Sequence, residues 1–137
     1  MGDMEKLEAV KVFRENVIAA EEKYREWKMR AENTVVVLKQ RTQSGTHENW
    51  RESATIEMAE AWENYLNCVK QYIDSLKDAY TVLNALENAD WYTVLYCRYI
   101  RIRSWRDTAR DMKCSERNCR LLLQKAKSFL CGEMRVI

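Results

Sequence analysis

The sequence contains no proline and only three glycines, so very little in it interrupts a helix. Proline and glycine are the two residues that most destabilise a helix interior. Of the three glycines, Gly2 and Gly132 lie near the ends of the chain, and only Gly45 lies well inside it. The 137 residues therefore predict an all-α protein built on long helices.

Two heptad patterns predict where the long helices run. In each, apolar positions recur in alternating steps of three and four. The first comprises Val10, Phe13, Val17, Ala20, Tyr24, Trp27, Ala31, Thr34 and Leu38, and the second comprises Ala59, Trp62, Leu66, Val69, Ile73, Leu76, Tyr80 and Leu83. A seam sustained over about four heptads is typical of a coiled coil.

The two seams are joined by a short polar link, residues 43–48, which makes neighbouring helices run antiparallel. We therefore expect residues 1–88 to form a long, coiled-coil-like antiparallel helical hairpin. Its helices should cover about 4–41 and 50–87. Because Trp62 lies on the seam, we expect it to be buried.

The second long helix carries a further apolar stripe, one residue out of phase with the seam. Its members are Met58, Ala61, Tyr65, Cys68, Tyr72, Ala79 and Val82. So wide an apolar face has to be covered by something. Two interpretations remain open: the C-terminal helices fold back onto it, or it binds a second copy or another protein.

The charge is distributed unevenly along the chain. Residues 98–137 contain 11 Lys and Arg against 4 Asp and Glu, whereas residues 1–97 contain 12 against 17. The net charge of +2 for the whole chain conceals this difference. A basic end joined to an acidic remainder indicates a polyanionic partner for one part only.

Residues 89–137 predict three short helices. Their expected N-caps are Asp90, Ser104 and Ser115. A tight turn at Lys113-Cys114 separates the second helix from the third, which should cover 116–130. This is the layout of a helix-turn-helix DNA-binding module.

The last of these helices has an inward and an outward face. The inward face is expected to contain Cys119, Leu122, Ala126 and Leu130, and the outward face contains Glu116, Arg117, Arg120 and Gln124. Arg suits guanine, Glu suits cytosine and Gln suits adenine in the major groove. Contacts to phosphate are assigned to Arg103, Arg106, Arg110, Ser115, Arg120 and Lys125, aided by backbone N–H groups behind Ser115.

One set of residues in this region has a familiar arrangement. It consists of Tyr99, Ile100, Ser104, Trp105, Arg106, Asp107, Thr108, Ala109, Met112, Ser115, Glu116, Arg117, Ala126 and Leu130. The set resembles region four of bacterial sigma factors and, more closely, the small phage and prophage late-transcription activators of the ArpU and RinA type. The resemblance implies sequence-specific binding of duplex DNA. It also places Glu116, Arg117 and Leu121 at the base-contacting positions of the recognition helix.

These features favour a sequence-specific double-stranded DNA-binding transcription regulator of phage or prophage origin. In that interpretation the hairpin forms a homodimer or contacts a protein such as RNA polymerase. Two alternatives remain: a DNA-packaging adaptor of the small terminase type, and a protein-interaction module whose sigma-like domain no longer binds DNA. Oligomeric mass separates the regulator from the packaging adaptor, since a packaging adaptor forms a ring and a regulator is a monomer or dimer.

Several other classes of function are not expected. The sequence has no nucleophile paired with a base and no glycine-rich phosphate loop, which argues against an enzyme. We expect no cofactor and no metal site, because none of the five cysteines forms a C-x-x-C pair and His47 is the only histidine. The charged N-terminus is not a signal peptide and no apolar run spans a bilayer, so we expect a protein of the bacterial host cytoplasm with no membrane partner.

Overall fold

The computed structural model describes the backbone of residues 2–40 and 46–132, and the side chains of residues 2–33 and 53–132. Across these ranges the regular structure is helical and no strand occurs, so the all-α prediction is confirmed. Residues 43–45 of the predicted link and the last five residues lie outside the described parts, whereas residues 46–48 of that link belong to a helix. The side chains of the seam positions Thr34 and Leu38 also lie outside the described parts. No helix within the described ranges is both long enough and apolar enough to cross a membrane.

The two long helices are α1, Asp3–Gln40, and α2, Thr46–Asn84. Helix α1 matches the expected limits to within one residue, but α2 begins four residues earlier than expected and ends three earlier. The early end has a local cause. The N–H groups of Ala85 and Leu86 donate to the carbonyls of Val82 and Leu83, at 3.3 and 3.0 Å, which tightens the last turn and ends the helix.

The next helix, α3, spans Ala89–Leu95 and continues into a π-helical turn, Tyr96–Ile100. Its N-cap is Asn88, whose Oδ1 accepts from the backbone N–H groups of Asp90 and Trp91 at 2.9 and 3.2 Å. The prediction that Asp90 caps this helix is therefore wrong. Both residues are good caps, and Asn88 takes the role because capping there leaves Asp90 in the first turn, where its negative charge is favourable.

Helices α4, Trp105–Met112, and α5, Glu116–Leu130, are capped as the sequence predicted. The hydroxyl oxygens of Ser104 and Ser115 each accept from a backbone N–H three residues further on, both at 3.1 Å. Lys113 ends α4 in the left-handed conformation, with φ of 56°. The predicted turn at Lys113-Cys114 is thus confirmed.

Backbone contacts divide the chain into two compact units. The first unit comprises Met1–Arg14 and Tyr72–Ile137, and the second comprises Glu15–Gln71. Each long helix contributes to both units. The division therefore falls within α1 and α2, whereas the sequence suggested a boundary at residue 88.

The first unit is held by one apolar cluster. Its buried members are Leu7, Val10, Ala79, Val82, Leu83, Val94, Leu95, Ile100, Leu123 and Ala126. The C-terminal helices therefore pack on the start of α1 and the end of α2, which covers Ala79 and Val82 of the out-of-phase stripe. On α5 the buried residues are Cys119, Leu123 and Ala126. Leu122 and Leu130, which the sequence placed inward, are only half-buried, because the packed face is centred on Leu123.

In the second unit, residues of the predicted seam of α2 are exposed and a residue of the out-of-phase stripe is buried instead. Ala61 of the out-of-phase stripe is buried, whereas Trp62 and Leu66 of the predicted seam are 44% and 47% exposed. The prediction that Trp62 is buried is wrong, although its ring lies 5.0 Å from that of Tyr24 and 5.5 Å from that of Tyr65.

The cluster of the first unit makes a stability prediction. Leu83 is fully buried, so Leu83→Ala should lower the free energy of unfolding by about 2–5 kcal/mol. Leu121 is 44% exposed, so Leu121→Ala should cost less than about 1 kcal/mol. Urea unfolding followed by circular dichroism measures both. Equal losses for the two variants would contradict the packing described for this cluster.

Candidate nucleic-acid interface

The five side chains expected to contact bases lie together on the exposed face of α5. They are Glu116, Arg117, Arg120, Leu121 and Gln124, and all five are exposed. Their spacing of three and four residues makes them neighbours on the helix surface. The cap at Ser115 fixes where the helix begins, and the burial of the opposite face fixes which side turns outward. The sequence therefore predicted correctly that these residues share one exposed face. What they bind stays a prediction.

The exposed face contains one large apolar side chain, Leu121, which is 44% exposed. An aliphatic group at this position is able to contact the methyl group of thymine in a major groove. Next to it, Asn118 donates its backbone N–H to the Ser115 hydroxyl at 3.1 Å. Lys125 and Asp90 also line the groove that contains Leu121.

Arg120 is held in place by an aromatic ring. Its guanidinium carbon lies 5.3 Å from the ring centroid of Trp105, the first residue of α4. Arg98 lies at 4.1 Å from the same ring and donates to the backbone carbonyl of Arg103. Cation–π contacts of this kind are worth about 0.5–1 kcal/mol at exposed sites. Trp105 thus positions two positive charges next to the start of α4.

Of the residues expected to contact phosphate, some already form ion pairs with described side chains of the protein and others do not. Arg103 forms an ion pair with Asp111, and both side chains are about one-third exposed. Arg110 lies at 3.9 Å from Asp107, an exposed pair of little strength. Arg106 and Lys125 are exposed and form no ion pair with any side chain that the structure describes. These two are the most available cations of the predicted set.

Ser115 occupies the N-terminus of α5. Its hydroxyl oxygen accepts the N–H of Asn118, and its carbonyl accepts the N–H of Cys119 at 3.0 Å. The hydroxyl hydrogen remains able to donate. The N–H groups of the first turn have no acceptor within the helix, so this end of α5 favours negative charge. The arrangement suits a phosphate oxygen.

Sequence reasoning missed a group of three basic residues, Lys11, Arg98 and Lys127, that come from α1, the π-helical turn and α5. A cleft in the first unit is lined by Glu8, Lys11, Arg98, Tyr99, Ile102, Trp105, Leu123 and Lys127. The ammonium of Lys127 lies 5.8 Å from the ring centroid of Tyr99. The charge count of residues 98–137 already included Arg98 and Lys127. Their convergence was not visible in the sequence because it depends on the π-helical turn and on the packing of α1.

Sulfur atoms pack beneath the turn between α4 and α5. The Sγ atoms of Cys114 and Cys119 lie 3.1 Å apart, and Sγ of Cys119 lies 3.8 Å from Sδ of Met112. Burial, and then the hydrogen bond with Cys114, raise the pKa of Cys119 to about 12. Burial also raises the pKa of Cys97, although Arg103 and Arg101 oppose the change. Cys97 and Cys119 are therefore neutral packing groups, and the described residues contain no cluster of three or more potential metal ligands.

No protein-family model matches the chain, and comparison with curated proteins and with solved structures finds no significant match. The resemblance to sigma region four and to the phage activators therefore depends on the residues quoted for it. The geometry of α4, the turn and α5 is independent of that resemblance.

The cysteine environments predict different reactivities. Cys131 is exposed, and Cys119 is fully buried with a raised pKa. At pH 8 iodoacetamide should therefore alkylate Cys131 readily, and Cys119 only after unfolding, since the thiolate is the reactive form. Peptide mass spectrometry with and without urea measures this. Rapid labelling of Cys119 in the folded protein would contradict its burial beneath the turn.

Proposed function

We propose that this chain is a sequence-specific, double-stranded DNA-binding transcription regulator of phage or prophage origin. Its helix-turn-helix is α4, the turn at Lys113-Cys114 and α5, with α5 as the recognition helix. The proposal depends chiefly on one observation: all five expected base-reading side chains lie on one exposed face of α5, between Glu116 and Gln124. That face belongs to a region with an excess of seven positive charges.

The dimensions of the two helices support the proposal. Helix α5 has 15 residues and is therefore about 22 Å long at 1.5 Å per residue. A major groove about 12 Å wide admits such a helix. The preceding α4 has eight residues and is separated from α5 by a three-residue turn. Recognition helices of this class contact bases with residues near their N-terminus, where Glu116 and Arg117 lie.

We assign roles from chemistry. Arg117 donates to guanine, Glu116 accepts from cytosine, Gln124 pairs with adenine and Leu121 contacts a thymine methyl. Arg120 reads bases from a position fixed by Trp105. Phosphates are bound by Arg106, Lys125 and Ser115. Arg103 and Arg110 contribute less, because a neighbouring carboxylate offsets the positive charge of each. Duplex DNA is the partner, and the protein acts in the cytoplasm of a bacterial host.

The rest of the proposal concerns the long helices. Contacts between α1 and α2 occur in each unit, and the residue number on α2 is lower where the residue number on α1 is higher. Leu7 and Val10 share a cluster with Leu83 in the first unit, and Tyr24 contacts Trp62 in the second. This supports an antiparallel hairpin over residues 1–88 followed by the DNA-binding module, 89–137. The hairpin provides the surface for contact with another protein such as RNA polymerase, or with a second copy.

Binding measurements on two arginine variants test the assignment. First, selection from randomised duplexes should yield a preferred site. Arg117→Ala should then lose about 1–3 kcal/mol of binding free energy on that site and much less on unrelated DNA. Arg106→Ala should weaken binding equally on all sequences and reduce the slope of log K against log salt by about 0.9.

Lys23→Ala, an exposed lysine of α1 in the second unit, serves as the control and should bind as the wild type does. Fluorescence anisotropy with labelled duplexes measures the wild type and all three variants. Wild-type protein that ignores duplex DNA even in dilute buffer would overturn the proposed function.

A further inference from the structure

The second unit leaves an apolar stripe of α2 open to solvent. Trp62 and Leu66 are 44% and 47% exposed, Ala59 is exposed and Val69 is half-buried. These four residues are consecutive a and d positions of the heptad pattern, so they lie in one line along the helix. Ile56 borders the same line and is 51% exposed. Large apolar side chains in so regular a line are typical of a helix–helix contact surface.

The charges beside this stripe carry more specific information. Glu63 and Lys70 both follow a d position, one heptad apart, and so lie on the same flank of the stripe. Both are exposed, and neither forms an ion pair with the side chains that the structure describes. The opposite flank contains Met58 and Tyr65, which are half-buried in their own unit. Only one flank therefore offers charges to a partner.

We propose that this stripe binds the same stripe of a second copy of the chain, with the two α2 helices antiparallel. A two-fold axis near residues 66–69 brings the like flanks of the two helices side by side. Glu63 of one copy then lies near Lys70 of the other, and the same pair occurs twice. Leu66 and Val69 of both copies meet at the centre, and Trp62 covers each end of the contact.

The charges distinguish this arrangement from a parallel one. In parallel helices the flank that contains Glu63 and Lys70 faces the opposite flank of the partner. That flank contains Met58 and Tyr65, so no ion pair forms. A self-complementary surface also favours a second copy over an unrelated protein, because each charge already has its counterpart one heptad away. The inference concerns α2 alone and does not depend on DNA binding.

Analytical ultracentrifugation tests the proposal on the full chain. Wild-type protein should sediment as a dimer. Leu66→Lys places two like charges close together at the centre and should raise the dimer dissociation constant by about a hundredfold or more. Circular dichroism checks that the variant is still helical. A wild-type monomer at high concentration would overturn the proposal, as would a ring or a dimer that Leu66→Lys leaves unchanged.

Exchanging the charges of Glu63 and Lys70 tests whether these residues pair between the two copies. Glu63→Lys should weaken dimerisation by about tenfold, because two attractive pairs become repulsive. The double variant Glu63→Lys with Lys70→Glu should restore the wild-type constant. Glu60→Lys is the matched control, because it makes the same charge change at an exposed position away from the stripe. Failure of the double variant to recover would overturn the antiparallel pairing.

Spin-label distances test the direction independently. Glu60 and Asn67 are exposed, occupy equivalent heptad positions and lie one heptad apart. In the antiparallel dimer the distance between two labels at position 67 is shorter than that between two labels at position 60, because 67 is closer to the axis. Parallel helices would give the same distance at both positions. Labels carried by an unnatural amino acid leave the five cysteines intact.

Discussion

The first unit depends on the burial of one apolar cluster that joins distant parts of the chain. Helices α3, α4 and α5 are short, and with the π-helical turn they amount to fewer residues than usually form a stable core alone. Leu7 and Val10 of α1, with Leu83 of α2, complete that core. Each fully buried aliphatic side chain contributes about 1.5–3 kcal/mol relative to exposure. The proposed DNA-binding helices therefore owe their stability to the ends of the two long helices.

Polar interactions set the details of the proposed interface once this core has formed. Ser104 and Ser115 fix the first residues of α4 and α5, and Lys113 fixes the turn between them. Trp105 then holds Arg98 and Arg120 near one ring. Each of these contacts is modest, at about 0.5–2 kcal/mol. Together they decide where the positive charges and the base-reading side chains lie.

Local features of the sequence predicted local structure well. The absence of proline indicated helices, and the serines before α4 and α5 indicated their first residues. Predictions failed where the sequence offered two equivalent candidates for the same position. Asn88 and Asp90 are both good caps, and the residue types alone did not show which of them begins α3. The two stripes of α2 have the same period, so periodicity could not show that the stripe containing Ala61 packs inward and leaves Trp62 exposed. The cleft that contains Arg98 and Lys127 depends on tertiary contacts and had no local signal.

The participation of Leu7 and Val10 in the core affects how the chain folds during synthesis. Their partners on α5 are made more than a hundred residues later, which takes on the order of ten seconds at typical ribosomal rates. Until then the apolar side chains at the start of α1 lack the part of their cover that α5 provides. Contacts of such wide sequence separation also slow folding, because a long loop must close before they form.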